Sequence, residues 1–493
     1  MAQQAPTPHA SMVEETLFQL LCENPNLIVK WIVSKNRTYG VFYINTIVDQ
    51  HLLQRDLLGR IATLEDRPSA DEMAEHFPVG AVKEAEGLEA VAEQLLAGWV
   101  YLDAGPEAPG LLFYLYKPQQ RNLSRPDIES QVLGPQLAFT ETLTTNIGLL
   151  QGYVADPQLC QELHQVGVRT RTQVALFYMN EVTDDALVDR LRKRLGNLQI
   201  DGIIDSAVLA QLLDDHPYSI FPQMLLTERV DRVAFSLLEG KLVLLVAGSP
   251  FAIVCPVVFM DFFSSSEDHL VRWNMATFTR ILRLAAMILS LGFTPMYVAA
   301  LTFHYEIIPS AMVVPLAESR TRVPFPPLME ALFLEFTMEL LREAGARLPT
   351  KVGQTIGIVG GIVIGQAAVQ AGFTSNILII IVALGALSSF TTPVYLMGIT
   401  IRIVRFPLIL LAGLLGGLGL VVGMSFIAIH LLRLSSLEQP YLYPVYPLRP
   451  ANFKASVIRM PFAFLRRRTT FIRSEDQYRW QKKPPERKKD IDE

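Results

Sequence analysis

The stretch that most limits what this chain can fold into is residues 353–372, GQTIGIVGGIVIGQAAVQAG, which holds no charged residue. At about 1.5 Å of rise per residue, a helix of this length crosses the roughly 30 Å hydrocarbon core of a bilayer. Gly353, Gly357, Gly361 and Gly365 recur one helical turn apart. On a helix they form a smooth stripe that admits a neighbouring helix to backbone contact. Thr355, Val359, Ile362, Gln366 and Gln370 fall on the opposite side, a face polar at both ends and branched-apolar in the middle. Polar groups at membrane depth face a bundle interior or a water-filled path. The face therefore reads as the lining of a pathway constricted at Val359 and Ile362. A tightly packed structural helix whose glutamines bond to neighbours satisfies the same pattern.

The chain has 493 residues, 50% hydrophobic and 18% charged. That is too apolar for an ordinary soluble enzyme and too charged for a protein embedded throughout, so a soluble part and a membrane part are expected. The net charge of −5 gives no case for nucleic acid. Cys22, Cys160 and Cys255 lie far apart, the last in an apolar segment, and are expected as reduced thiols. Residues 1–12 are polar and no short apolar core with a cleavage site follows, so the N-terminal region is expected in the cytoplasm.

Residues 1–26 read as a flexible lead. Residues 27–33 and 39–48 are rich in β-branched and aromatic side chains and read as strands. A helix is expected over 49–61 on an Asp49 N-cap, and another over 90–96 closed by Gly98. Strands follow at 99–103 and 111–117. The order then returns: 176–183 (LFYMNEVT) parallels 42–49 (FYINTIVD), and 230–248 parallels 88–105, each with a Leu-Leu-x-Gly helix end. Two related α/β subdomains are expected, at 27–120 and 165–248, joined by a helical linker at 121–164. Neither carries a phosphate loop, a GxGxxG turn or a nucleophile elbow. Duplication without a catalytic set favours scaffolding or ligand sensing over an enzyme.

Residues 249–433 read as an all-α multi-pass membrane domain, with spans at 280–303, 353–372, 376–397 and 406–432. Short or amphipathic segments are expected at 251–263, 307–317 and 328–344. The last carries Glu335, Glu339, Glu343 and Arg342 on one face. It is either a solvated surface helix or the wall of an aqueous vestibule. Arg402 and Arg405 precede the last span, and 434–493 is a basic tail whose side of the membrane stays open. Glu267 and Asp268 read as a solvated helix start. Cys160 and His164, one helical turn apart, are a structural pair sooner than a metal site. No metal, cofactor or catalytic residue is expected.

Several blocks carry a family resemblance: FPQMLLTERVDRVAFSLLEGKLVLLVAGSPF (221–251), LTFHYEIIPS (301–310), REAGARLP (342–349), VGQTIGIVGGIVIGQAAVQAG (352–372) and SSFTTPVYLMGITIRIVRFPL (388–408). Together they resemble the GerA family, the A subunits of spore germination receptors. The resemblance implies residence in the spore inner membrane, in a complex with a transporter-like B subunit and a lipoprotein C subunit. It implies a response to nutrients and assembly into a homo-oligomer, a pentamer, that conducts cations. Gln366 would then form rings about the pore axis. The chain departs from the family pattern at Val230, where proline is usual between Arg229 and Asp231, and at Ala247, Asn452 and Ala455, where acidic residues are usual. An accessory channel subunit of the same architecture and a secondary nutrient transporter are the alternatives.

Overall fold

A computed structural model describes residues 8–34, 37–61, 81–103, 110–117, 128–347, 365–449 and 453–468, with a few isolated positions besides. Strands β1 (Leu27–Ser34) and β2 (Arg37–Ile44) form an antiparallel hairpin. Side chains alternate across a strand, and here both faces find a cover. Val41 and Tyr43 pack with Leu53, Leu57 and Ile61 of α2, the helical stretch 50–61. Its N-cap Asp49 accepts hydrogen bonds from the His51 and Leu52 amides. Phe42 and Ile44 pack on the other face, against α1 (Pro8–Leu20) and α3 (Leu88–Leu96). Strands β3 (Val82–Glu84), β4 (Trp99–Asp103) and β5 (Leu111–Tyr114) complete an antiparallel sheet of order β1-β2-β4-β5-β3.

The second unit repeats each step. α4 (Leu143–Tyr153) corresponds to α1, and β6 (Leu159–Val166) and β7 (Thr172–Met179) to the first hairpin. α5 (Asp185–Asn197), capped by Asp184, corresponds to α2. After an inserted α6 (Ser206–Leu213) come β8 (Leu225–Thr227), α7 (Val230–Leu238), β9 (Leu242–Val246) and β10 (Ala252–Cys255). The sheet order, β6-β7-β9-β10-β8, is the same permutation. Gly98 and Gly240, at φ +88° and +92°, end α3 and α7 alike in the left-handed conformation that glycine adopts without strain.

The duplication overturns four expectations. Residues 8–26, the described part of the expected flexible lead, are anchored, because α1 buries Val13 and Leu17 beside Val91 and Leu95. The linker expected at 121–164 is part of the second unit from residue 143 on, because α4 and β6 are that unit's first two elements. The 251–263 segment, expected as a short piece of an all-α membrane domain, belongs to the second α/β unit: β10 pairs with β8 and β9, and a 3-10 turn follows at Phe259–Phe263. A strand covered on both faces is apolar throughout, which is what made it look membrane-like. Cys22 and Cys160 are not separate thiols but a disulfide, Cα to Cα 5.1 Å, joining the first unit to β6 of the second. Beside it Asn26 Nδ2 donates to Gln161 Oε1 at 2.7 Å and Thr46 Oγ1 to Gln151 Oε1 at 2.6 Å.

The helical half follows as α8 (Trp273–Thr302), α9 (Ser310–Arg320), α10 (Pro327–Arg347), α11 (Asn376–Ser389), α12 (Tyr395–Leu415) and α13 (Gly417–Arg433). α12 leaves the second α/β unit, where Thr400 Oγ1 donates to the Ile220 carbonyl, and ends beside Phe303 and His304 at the far end of α8. α13 returns, and His430 near its end meets Ser219. The expected single span 406–432 is thus the turn of a hairpin, broken at Gly416 with φ +64°. The fold also places the tail: Leu434 and Tyr441 join the core that α4 and α7 form under the second sheet. The tail and the α/β units therefore share one end of the bundle. Helix 376–389 is shorter than the expected span 376–397, since Thr392 and Pro393 lie in the turn before α12.

Candidate functional site

α10 starts at Pro327, where a missing amide donor costs nothing. It runs from the far end of the bundle back toward the α/β units, and down its inner side it carries Glu330, Glu335 and Glu339. By helix rise the first and last stand about 14 Å apart. Each meets an arginine. Glu330 pairs with Arg320 of α9 at 2.8 Å and accepts from the Ser375 amide at 3.2 Å. Glu335 pairs with Arg405 of α12 at 2.7 Å and accepts from Thr294 Oγ1 of α8 at 2.9 Å. Arg405 also donates to Ser290 Oγ of α8 and to the Gly385 carbonyl of α11. Glu339 pairs with both Arg402 of α12 and Arg342, each at 3.2 Å, and Arg342 lies 4.7 Å over the Phe390 ring.

The middle rung is the most enclosed, with the Arg405 and Glu335 side chains 3% and 6% exposed. Desolvating two charges offsets most of their mutual attraction, so such a pair adds little net stability over apolar side chains of equal size. What it does is fix geometry: this one guanidinium holds four helices, α8, α10, α11 and α12, in a single register. No metal-holding cluster of His, Cys, Asp and Glu occurs among the described residues.

Glu335, Glu339 and Arg342 therefore come together, on the inner side of a packed helix and not on a solvated surface one. Glu343 does not join them; it turns outward and pairs with Arg347 one turn on. A cleft of about 170 Å³ opens between Glu339, Arg342, Glu343 and Arg402 at the bundle end near the α/β units. Gly353, Gly357, Gly361, Thr355, Val359 and Ile362 lie outside the described residues. Gly365, Gln366 and Gln370 fall on the described helical turns 365–370, with both glutamines exposed and, among the described residues, no atom of another element within 4 Å of where a Gly365 Cβ would lie. Sequence reasoning missed Arg405, Arg402, Glu330, Ser290 and Thr294 as site residues. The available signal was the pair of arginines inside an apolar helix, which can stay there only with partners.

A second charged cluster joins the second α/β unit to α8. Asp268, expected as solvated, is buried and accepts from Arg280 at 2.9 Å and Arg283 at 2.9 Å. Lys241 meets Asp261 at 2.7 Å, and Arg479 of the tail meets Glu239 at 2.8 Å. Burial drives the His269 imidazole down to about 4, so this ring, stacked 4.9 Å from Phe235, is neutral at pH 7. Cys160 and His164 lie on β6, not on a helix, and His164 faces Glu162.

Among the described residues, two helices, α8 and α12, are long and apolar enough to cross a membrane. The family model described as Bacillus/Clostridium GerA spore germination protein matches residues 15–471. The chain is 44% identical to spore germination protein GerQA of Bacillus cereus, over 96% of this chain and 95% of that one. It is 36% identical to spore germination protein KA of Bacillus subtilis (strain 168), over 89% and 82%. Among solved structures, the N-terminal domain of the A subunit of the Bacillus megaterium spore germinant receptor GerK3 aligns at 23% identity and TM-score 0.39, covering 52% of this chain and 99% of that one. With two duplicated α/β units, a helical bundle and a family match running from α1 into the tail, the chain belongs to the GerA spore germination protein family.

Proposed function

We propose that this chain is the A subunit of a germinant receptor, a membrane complex that senses nutrients and starts germination. It works beside a transporter-like B subunit and a lipoprotein C subunit, and copies of it, five in number, surround a cation-release path. The observation that carries the reading is the family match over nearly the whole chain, paired with a bundle whose core holds an arginine–carboxylate ladder. Buried charges in an otherwise apolar bundle mark segments that move ions or switch between states more often than inert ones. The segment 353–372 supplies the uncharged helix of the path, with Val359 and Ile362 at its constriction and Gln366 and Gln370 toward water. The glycine stripe at 353, 357, 361 and 365 lets copies approach one another. The α/β units stand on the cytoplasmic side of the spore inner membrane.

Deleting the gene in a spore-forming host tests this reading. Germination to one class of nutrient is lost, while germination by nutrient-independent triggers continues. Unchanged responses to every nutrient overturn it.

A further inference from the structure

α12 and α13 come into close contact at Gly419 and Gly423. A Cβ at Gly419 would run into the Leu411 carbonyl oxygen, and one at Gly423 would lie 2.6 Å from Leu408 Cδ2. Toward the α/β units the two helices part, because the loop at residues 218–221 is driven between them like a wedge. It is bonded to both sides: Thr400 Oγ1 of α12 donates to the Ile220 carbonyl at 2.8 Å, and Ser219 Oγ lies 2.9 Å from His430 Nε2 of α13. The space left between the glycine contact and the wedge is a groove of about 590 Å³, walled by Ile403, Pro407, Leu411, Val422 and Phe426.

We propose that this groove holds one acyl chain of an anionic membrane phospholipid. Three features of the groove select that occupant. Its walls are aliphatic and aromatic, and polar groups gather only at the wedge end, around Tyr218, Ser219 and His430. Its size is that of a pocket for one small flexible molecule, whereas a helix with side chains is about 10 Å across and would not enter. The exposed Arg433, one turn beyond His430 on α13, stands at the polar end and offers a phosphate a cation. The flanking surface, with Leu414, Leu418, Val421 and Ile429 exposed, is the apolar skin that faces acyl chains. The chain would enter sideways from the bilayer with its head group at the end where the α/β units stand. Because the wedge belongs to the second unit, an occupied groove ties the position of that unit to the α12–α13 hairpin. The proposal rests on the reading that the bundle lies in a bilayer.

The full chain is reconstituted into vesicles containing phosphatidylglycerol with a photoreactive diazirine on one acyl chain. Flotation with the vesicles is scored first, and illumination and peptide mapping follow. Labelling of Val422, Phe426 and Ile403 several-fold above Leu418, on the outer face of α13, is expected. Val422→Trp fills the groove and abolishes that labelling while Leu418 keeps its own; an unchanged thermal melt shows that the variant is folded. Arg433→Gln lowers groove labelling by phosphatidylglycerol more than by a phosphatidylcholine probe. Equal labelling of groove and outer face means bulk lipid alone and overturns the proposal. So does an unlabelled groove in which Phe426→Cys crosslinks to a second copy. A chain that fails to float removes the membrane reading itself, a result distinct from either.

Discussion

Arg405 Nη1 lies 2.7 Å from Glu335 Oε2 in the middle of the helical bundle, joining α12 to α10 while the same guanidinium reaches α8 and α11. Removing one partner of a buried pair strands the other charge, at a cost of about 3–5 kcal/mol. Glu335→Ala and Arg405→Met should each destabilise the purified full chain by that order in thermal unfolding. The double variant should recover most of the loss, since no charge is then left unpaired. Additive losses would show that the pair is not an energetic unit.

The α12–α13 hairpin depends on Gly419, where any side chain meets the Leu411 backbone. Gly419→Val should force the helices apart, with a loss of about 1–3 kcal/mol from overpacking. Gly292 of α8 has open space where a Cβ would go, so Gly292→Ala should be neutral or stabilising by about 0.5–1 kcal/mol. Thermal melts of the two variants side by side check the contrast.

Cys22 and Cys160, 138 positions apart in the sequence, close a long loop between the two α/β units. Cross-linking a long loop restricts the unfolded chain and is typically worth about 2–4 kcal/mol. Digestion without reductant should release the Cys22–Cys160 peptide pair, with Cys255, buried in β10, recovered as a free thiol. Cys160→Ser should lower the denaturant midpoint of the parent to the value seen in reductant.

Asp214 lies at the C-terminal end of α6. Burial, helped by the charge of Asp215, pushes its carboxyl up to about 7. An unfolded aspartate titrates near 3.9, so the folded state favours the protonated form. Its stabilising contribution is full below about pH 4 and is lost as pH rises through about 7. Asp214→Asn should match the parent at pH 4 and exceed it in stability at pH 8, compared by melts at both pH values.

Much of the α/β half was legible in local chemistry. Asp49 and Asp184 announce their helices, and Gly98 and Gly240 end theirs, so the repeat could be read from FYINTIVD against LFYMNEVT. α1 and α4 were not legible as a matched pair, because neither has a side-chain cap among the described hydrogen bonds and both owe their place to packing on a sheet. β10 was misread because a doubly covered strand and a membrane segment share one composition. In the bundle, Gly416 was lost among the glycines around it, and a break inside an apolar run changes nothing that a hydropathy pattern records. The carboxylates of α10 stood out, but their arginine partners lie on other helices, and only the fold brings Arg405 to Glu335.

The most direct measurement is cation flux. The chain, reconstituted with its transporter-like and lipoprotein partners in vesicles loaded with potassium, should release the ion when the cognate nutrient is added. Val359→Ala with Ile362→Ala should leak without nutrient. Retention of potassium by both complexes, or saturable nutrient uptake by the chain alone, would contradict the proposal that it forms a nutrient-gated ion path.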